Sequence, residues 1–156
     1  MTGQISTAGG VTFEIGTTNI GHTLLEFEAD SYVEVSEVED GGQVGDESAA
    51  INFTALKDGR VQKLKGPRDA GTMAVVCGAL PSDPGQDAMV AAEATKFDYN
   101  FRVTLNDALE IGGTGTVLYF YGKVMSKRRN IGNVSNVVKY MFNIGVNSAI
   151  YEVPAT

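Results

Sequence analysis

Residues 96–105 read KFDYNFRVTL and alternate strictly between polar and apolar side chains. Every odd position from Phe97 to Leu105 is apolar, and every even position from Lys96 to Thr104 is polar. Successive side chains of a β-strand point to opposite faces, so this segment predicts a strand with one apolar and one polar face. It is the strongest strand signal in the chain, and weaker forms of the same pattern occur on both sides of it.

A glycine-rich segment, Gly112–Gly115, follows and predicts the turn of a hairpin. The partner strand is predicted at Thr116–Met125, where both faces carry apolar side chains, so both faces are expected to be covered. Lys57-Asp58-Gly59-Arg60 contains Asp-Gly, which predicts another hairpin turn. Gly145 is predicted to be a bend or bulge between the last two strands. The remaining predicted strands are Val11–Ile15, Tyr32–Val38, Ala50–Leu56, Gly71–Cys77, Ser135–Ile144 and Val146–Val153.

One helix is predicted at Gln86–Thr95, because Asp83 is a candidate N-cap and Pro84 suits the first helical turn. The 156 residues, 43% of them apolar, are enough for one domain with an ordinary core. The predicted fold is therefore mainly β: an antiparallel sandwich or barrel over residues 1–156 with one flanking α-helix. Residues 1–10, rich in Gly, Ser and Thr, are predicted to form a flexible arm.

The charges of the chain are divided along its length. The first 56 residues hold ten carboxylates and no Lys or Arg, whereas the remaining hundred hold twelve basic and nine acidic side chains. The net charge is thus −10 before residue 57 and +3 after it, which sums to −7. Opposite charges on one molecule favour head-to-tail contact between copies. The alternative is that the charges mix once the chain is folded.

Two predicted extended loops carry opposite charges. Residues 39–48, EDGGQVGDES, are acidic, and residues 57–71, KDGRVQKLKGPRDAG, are mostly basic. A third cluster, at Ser126–Asn130, is basic and is predicted to be a turn that docks onto an acidic partner, with a solvated loop as the alternative. The candidate inter-subunit contacts are the carboxylates Glu37, Glu39, Asp40, Asp46 and Glu47 and the basic residues Lys57, Arg60, Lys63, Lys65, Arg68, Lys127, Arg128 and Arg129.

Catalytic and metal-binding patterns are weak. His22 is the only histidine and Cys77 the only cysteine, and Cys77 lies in an apolar run that predicts a buried thiol. The acidic loop lacks the ligand spacing of an EF-hand, and the glycine-rich turn lacks the lysine of a phosphate loop. Glu26, Glu28 and Glu34 are interpreted as solvated charges on strand faces. We therefore expect no enzyme activity, no metal and no cofactor.

The layout of the chain resembles that of the tail tube (major tail) proteins of long-tailed bacteriophages. The segments that carry the resemblance are Glu37–Gly42, Lys65–Asp69, the predicted helix in Asp83–Thr95, the strand Phe97–Leu105, Tyr119–Val124, Asn133–Val138 and Ile144–Ser148. Together they extend over nearly the whole chain, as a likeness of layout and composition.

This resemblance implies a structural virion protein that forms stacked rings, commonly of six subunits, around a conduit for genome DNA. Its partners would be copies of itself and the tape measure, terminator and distal tail proteins, with assembly in the host cytoplasm and no membrane. DNA would pass without specific binding, since an acidic lining repels phosphate. Candidates for lumen-facing side chains are Asp98, Asn100 and Arg102.

Three alternatives remain open from the sequence. A tail terminator or connector would form rings without polymerising, and a secretion-system tube protein would share the fold. A small-molecule-binding β-barrel would instead be a monomer with an apolar cavity.

Overall fold

The structure, a computed structural model, describes residues 4–156. The helices are short, and most of the regular structure is strand. In chain order the elements are β1 (Thr12–Ile15), α1 (Leu24–Ala29), β2 (Val33–Glu34), β3 (Val38–Asp40), β4 (Glu47–Thr54), β5 (Val61–Asp69), β6 (Thr72–Gly78), α2 (Pro84–Glu93), β7 (Tyr99–Thr104), β8 (Val117–Asn130), β9 (Lys139–Val146) and β10 (Tyr151–Val153).

Eight strands form one antiparallel sheet in the order β2-β1-β7-β8-β9-β6-β3, with β10 pairing to β8. The strand β8, 14 residues long, is the central strand of this order. Its first half, Val117–Gly122, pairs with β7, and Gly122–Asn130 pairs with β9. The register of the second pairing shifts between Val124 and Ser126, which marks a bulge where the strand can bend.

Aromatic side chains from three neighbouring strands form the centre of the core. Phe101 of β7 stacks between Phe13 of β1 and Phe120 of β8, with ring centroids 5.8 and 5.4 Å apart. The strand predicted at Phe97–Leu105 is confirmed as β7, and its apolar face supplies the buried Phe101 and Val103. The predicted antiparallel β fold is confirmed, and its interior is filled by packed side chains.

Helix α2 covers this core and confirms the predicted helix, shifted toward the N-terminus. Asp83 is the N-cap, its side chain accepts a hydrogen bond from the Gln86 backbone N–H, and Pro84 occupies the first turn. Met89 is completely buried. Gly85 allows the helix to approach β2, since a Cβ at this position would lie 1.9 Å from the Glu34 carbonyl oxygen. No helix within residues 4–156 is long and apolar enough to cross a membrane.

Four expectations about secondary structure are wrong. The strand predicted at Tyr32–Val38 is broken at Glu37, whose φ is +59°, so β2 and β3 lie at opposite ends of the sheet order. Residues 61–69, expected within a loop, form β5, because they pair with β4 across the confirmed Asp58-Gly59 turn. The basic cluster Ser126–Asn130, expected to be a turn, continues β8. Gly145 lies inside β9 and pairs with both neighbouring strands.

A second helix, α1, was not predicted. Glu26 and Glu28 lie on this helix and not on a strand face. The signal was present in Thr23-Leu24-Leu25-Glu26, a capping-box pattern. The Thr23 side chain accepts from the Glu26 N–H, and the Glu26 carboxylate accepts from the His22 N–H at 2.7 Å.

The N-terminal arm is described only in part. Residues 4–10 are exposed and form neither helix nor strand, and residues 1–3 of the predicted arm lie outside the described residues. The predicted burial of the Cys77 thiol is confirmed: the side chain is completely buried, and burial raises the pKa of the thiol to about 11.

Candidate interaction surfaces

Strands β4 and β5 form a separate two-stranded sheet, which we call the hairpin. They pair with each other from Glu47–Asp69 at the base to Thr54–Val61 near the turn, and with no strand of the eight-stranded sheet. At the turn, Gly59 has a φ of +63° and its N–H donates to the Ala55 carbonyl. Nearly every residue of both strands is exposed. The hairpin therefore projects from the body of the molecule.

The two faces of the hairpin differ in chemistry. Ile51 and Leu64 are paired across the strands, and Phe53 lies on the same face. These three side chains remain 49%, 55% and 55% exposed. Lys63 and Lys65 lie on the opposite face, across from Asn52 and Ala50. The hairpin thus has an apolar face and a basic face, and neither is covered within residues 4–156.

At the base of the hairpin, the acidic loop and the basic strand meet within one chain. Arg68 and Asp46 form an ion pair at 3.1 Å, although the Arg68 side chain is 70% exposed. Asp69 accepts a hydrogen bond from the Gly71 N–H. These contacts join the hairpin to the body.

Several carboxylates predicted to contact a neighbour have partners inside the chain. Glu39 pairs with Lys139 at 2.6 Å, Asp46 with Arg68, and an Asp40 oxygen accepts from the Gly42 N–H. Arg129 stacks on the Tyr140 ring, with its guanidinium 4.6 Å from the ring centroid. The predicted contact residues that form no ion pair within residues 4–156 are Glu37, Asp40, Glu47, Lys57, Arg60, Lys63, Lys65, Lys127, Arg128 and Arg129.

The second half of β8 is an edge of the sheet. Residues 123–130 pair with β9 on one side, and no strand within the described chain pairs with the other side. We call this side the β8 edge. Lys127 and Arg128 on it are exposed, and the buried Ser126 Oγ has no hydrogen-bond partner in the described chain. The opposite edge is β3, which carries Glu39 and Asp40 and, among the described strands, pairs only with β6. One sheet therefore has a basic edge and an acidic edge.

The three side chains predicted to face a lumen occupy different environments. Asn100 is completely buried, so its predicted lumen-facing position is wrong. Its side chain donates to the Asn19 carbonyl and to Asp30, and accepts from the Gly21 N–H. Asp98 pairs with Lys123 at 2.8 Å. Arg102 pairs with Glu14 and lies over the Tyr32 ring. The positions of Asp98 and Arg102 relative to a lumen stay predictions.

Two buried or half-buried aspartates hold loops to the body. Burial raises the pKa of Asp30, but hydrogen bonds from Thr17 and Asn100 outweigh this effect and leave the pKa below its ordinary value. The same balance lowers the pKa of Asp83, which accepts from the Gln86 and Ser36 N–H groups. Both groups are structural anchors. No group of three or more His, Cys, Asp or Glu side chains within residues 4–156 is arranged to hold a metal ion.

A second apolar projection is the loop between β8 and β9, residues 131–138. Its exposed large apolar side chains are Ile131, Val134, Val137 and Val138. The loop lies at the end of the β9–β6 pair where Lys139 is opposite Gly78. The hairpin leaves β6 at the other end, where Thr72 is opposite Gly145, so the two projections lie at opposite ends of one sheet.

No protein-family model matches the chain, and no curated protein sequence matches it. Several solved structures, however, match the chain in fold. A chain in the cryo-EM structure of the anti-feeding prophage (AFP) baseplate aligns with a TM-score of 0.74 at 9% identity, covering 99% of this chain and 98% of that one. A chain in the tail of an empty GTA particle aligns with a TM-score of 0.69 at 12% identity, covering 96% and 99%. The SPP1 tail tube protein aligns with a TM-score of 0.62 at 13% identity, covering 92% and 76%. The chain therefore has the fold of tail tube and baseplate proteins.

Proposed function

We propose that this protein is a structural subunit that joins copies of itself in rings, and that the rings stack into the tail tube of a phage-like particle. The fold supports this role, since it is shared with the AFP baseplate, the GTA tail and the SPP1 tail tube. The tube would be part of the virion tail and assemble in the host cytoplasm. Its ends would meet the tape measure, terminator and distal tail proteins.

The observation that carries the proposal is the pair of complementary edges on one sheet. The β8 edge presents Lys127 and Arg128, and β3 presents Asp40, which forms no ion pair within residues 4–156. An open strand edge is a template for pairing with another chain, and ring closure removes such edges. Because the order β8-β9-β6-β3 is antiparallel throughout, β3 of one copy beside β8 of the next continues the antiparallel alternation. This contact is head-to-tail, so it generates a ring if the rotation closes.

Six copies per ring is the proposed number. The AFP baseplate structure is described as 6-fold symmetrised, and the GTA tail as having C6 symmetry. The net charge of −7 favours a conduit through which DNA passes without binding, since carboxylates repel phosphate and release no counterions.

Electron microscopy of the purified, concentrated protein tests this proposal. We expect rings and tubes from the wild type, whereas Arg128→Glu, which reverses a charge on the β8 edge, should remain mostly monomeric. Glu110→Lys is the control charge reversal, because Glu110 is also exposed but lies in the loop between β7 and β8, at the other end of that strand pair. A wild-type protein that stays monomeric at high concentration would contradict the function. Equal assembly by Arg128→Glu would contradict the edge pairing alone.

A terminator or connector ring is the second candidate, and a specific likeness favours it. The cryo-EM structure of an extracellular contractile injection system's sheath/tube terminator aligns with a TM-score of 0.65 at 9% identity. Such a protein would form isolated rings in the same micrographs. A ligand-binding barrel is disfavoured, since Phe101, Phe120 and Phe142 fill the interior and are almost completely buried.

A further inference from the structure

The strands β3, β6 and β9 and residues 123–130 of β8 form a four-stranded part of the sheet with two different faces. One face supplies Val75, Phe142 and Ile144 to the core, and each of them is at most 1% exposed. The side chains between them point the other way, because successive residues of a strand alternate between faces. They include Thr72, Ala74, Val76, Ser126, Met141 and Asn143. We call this second face the wall face, and four of these six side chains are exposed in the described chain.

Ring closure decides which way the wall face points. In the proposed ring, β3 of one copy lies beside the β8 edge of the next, so the four-stranded part continues from copy to copy as a closed barrel. The core and α2 lie on the opposite face of this part of the sheet and need the larger space outside such a barrel. The wall face is therefore the side that faces the axis of the ring. This step rests on the proposed function.

Most charged side chains of the wall face form ion pairs inside the chain. Lys123 and Lys139 lie on this face by the alternation of β8 and β9. Lys123 pairs with Asp98 at 2.8 Å, and Lys139 pairs with Glu39 at 2.6 Å. Asp98, one of the side chains predicted from the sequence to face a lumen, thus reaches the wall face. Both lysines are neutralised where they stand.

Arg128 and Asp40 are wall-face charges that form no ion pair within residues 4–156. They lie at the two ends of one row across the sheet, since Arg128 is opposite Met141, Met141 opposite Val76, and Val76 opposite Asp40. Arg128 is on the β8 edge and Asp40 is on β3. In the proposed ring these two edges meet, so opposite charges on the same face come together at each junction between copies.

We propose that the wall face lines the conduit without a net charge, and that Arg128 of one copy pairs with Asp40 of the next. Three basic side chains then meet three carboxylates in each subunit. DNA passes without binding because no cation on the wall is free to replace its counterions. The net charge of −7 belongs to the other surfaces of the subunit. In this respect the conduit differs from the acidic lining that the resemblance implies.

Cysteine labelling tests which way the wall face points. Ala74→Cys lies on the wall face and Ala91→Cys on the exposed side of α2, so the two variants are a matched pair at exposed alanines. The native Cys77 does not compete, because it is completely buried. A maleimide on a polymer too bulky to enter the conduit should label both variants before assembly. In tubes it should label Ala74→Cys at least several-fold more slowly and Ala91→Cys at an unchanged rate.

Two small thiol reagents measure the charge of the wall. Methanethiosulfonates that carry a trimethylammonium or a sulfonate group react with the same thiol but have opposite charges. Because a neutral wall attracts neither ion, their relative rates at Ala74→Cys in tubes should match those in the urea-unfolded variant. An acidic wall would favour the cationic reagent many-fold and would overturn the charge balance.

Charge exchange tests the pairing between copies. Asp40→Arg and Arg128→Asp should each reduce tube formation at least several-fold, because each places two like charges at every junction. The double variant should restore tubes, since it exchanges the two charges and keeps the pair. Two impaired single variants without rescue in the double variant would overturn the Arg128–Asp40 pair.

The two levels of the proposal fail in different ways. Wild-type-like tubes in which the bulky maleimide labels Ala74→Cys as fast as before assembly would overturn the wall face as the lining and leave the proposed function standing. Failure of the wild type to form rings or tubes would overturn the proposed function itself.

Discussion

The body and the hairpin use the same local structure in opposite environments. In the body, β7 alternates so that Phe101 and Val103 are buried while Arg102 meets Glu14 and Tyr32. In the hairpin, β4 alternates between Ile51 and Phe53 on one face and Asn52 and Thr54 on the other, yet all four side chains are exposed. Alternation thus determines which side chains share a face, whereas a second layer determines whether that face is buried. A covered face stabilises the monomer, and an uncovered one is available to a neighbour.

Truncating a core aromatic is the largest expected effect. Phe120→Ala should lower the free energy of unfolding by about 3–5 kcal/mol, because it removes a completely buried ring and leaves a cavity. Phe53→Ala on the hairpin should change monomer stability by less than about 0.5 kcal/mol, as expected for an exposed site. Urea unfolding monitored by circular dichroism measures both. A large loss for Phe53→Ala would show that the hairpin is covered in the monomer.

Removing the N-cap of α2 should have the next largest effect on the free energy of unfolding. Asp83→Ala is expected to cost about 1–2 kcal/mol, since it removes the acceptor for the Gln86 and Ser36 N–H groups. Asp58→Ala, at the hairpin turn, is the comparison within the other region and should leave the unfolding midpoint nearly unchanged. Equal midpoints for wild type and Asp83→Ala would contradict the anchoring role.

Stability should depend on pH through the anchors of the body. The pKa values of Asp30 and Asp83 are lower in the folded chain than their ordinary value. Their contribution is therefore complete above the unfolded-state pKa of about 3.9 and is lost as the pH falls through the folded-state values. Thermal melts between pH 7 and pH 2 should give a melting temperature that is constant at first and then falls as the pH is lowered. In the double variant Asp30→Asn, Asp83→Asn, the melting temperature should fall less steeply with pH. If wild type and double variant show the same pH dependence, these two aspartates do not cause it.

Removing the Arg68–Asp46 ion pair at the base of the hairpin should have the smallest effect on monomer stability. Arg68→Ala is expected to reduce monomer stability by less than about 1 kcal/mol, because the arginine is mostly exposed and solvent screens the pair. Native-state hydrogen exchange is the sharper measurement: faster exchange at the base of the hairpin with unchanged exchange in β7 and β8 is expected. Faster exchange throughout the body would mean that the two regions are coupled.

Much of the fold was predictable because local patterns and tertiary packing agree. The alternation at 96–105, the Asp-Gly turn and the Asp83-Pro84 helix start each became the predicted element. Helix α1 could have been predicted from its capping box, but its acidic and apolar side chains alternate like those of a strand. The buried position of Asn100 was not predictable, since its partners Asn19, Gly21 and Asp30 are at least 70 residues away in the chain.

The sequence by itself determined the strand-rich antiparallel class, the helix α2 with its N-cap Asp83 and Pro84, and the division of charge that indicates self-assembly. These follow from side-chain period and composition, which act over a few residues. Only the tertiary structure decided that residues 61–69 project as a strand and that Asp46 and Glu39 form ion pairs within the chain. It also decided that the second half of β8 and the strand β3 each leave one side open in the same sheet. Burial and edge exposure depend on which segments, distant in the sequence, pack together, and a local sequence pattern does not contain this information.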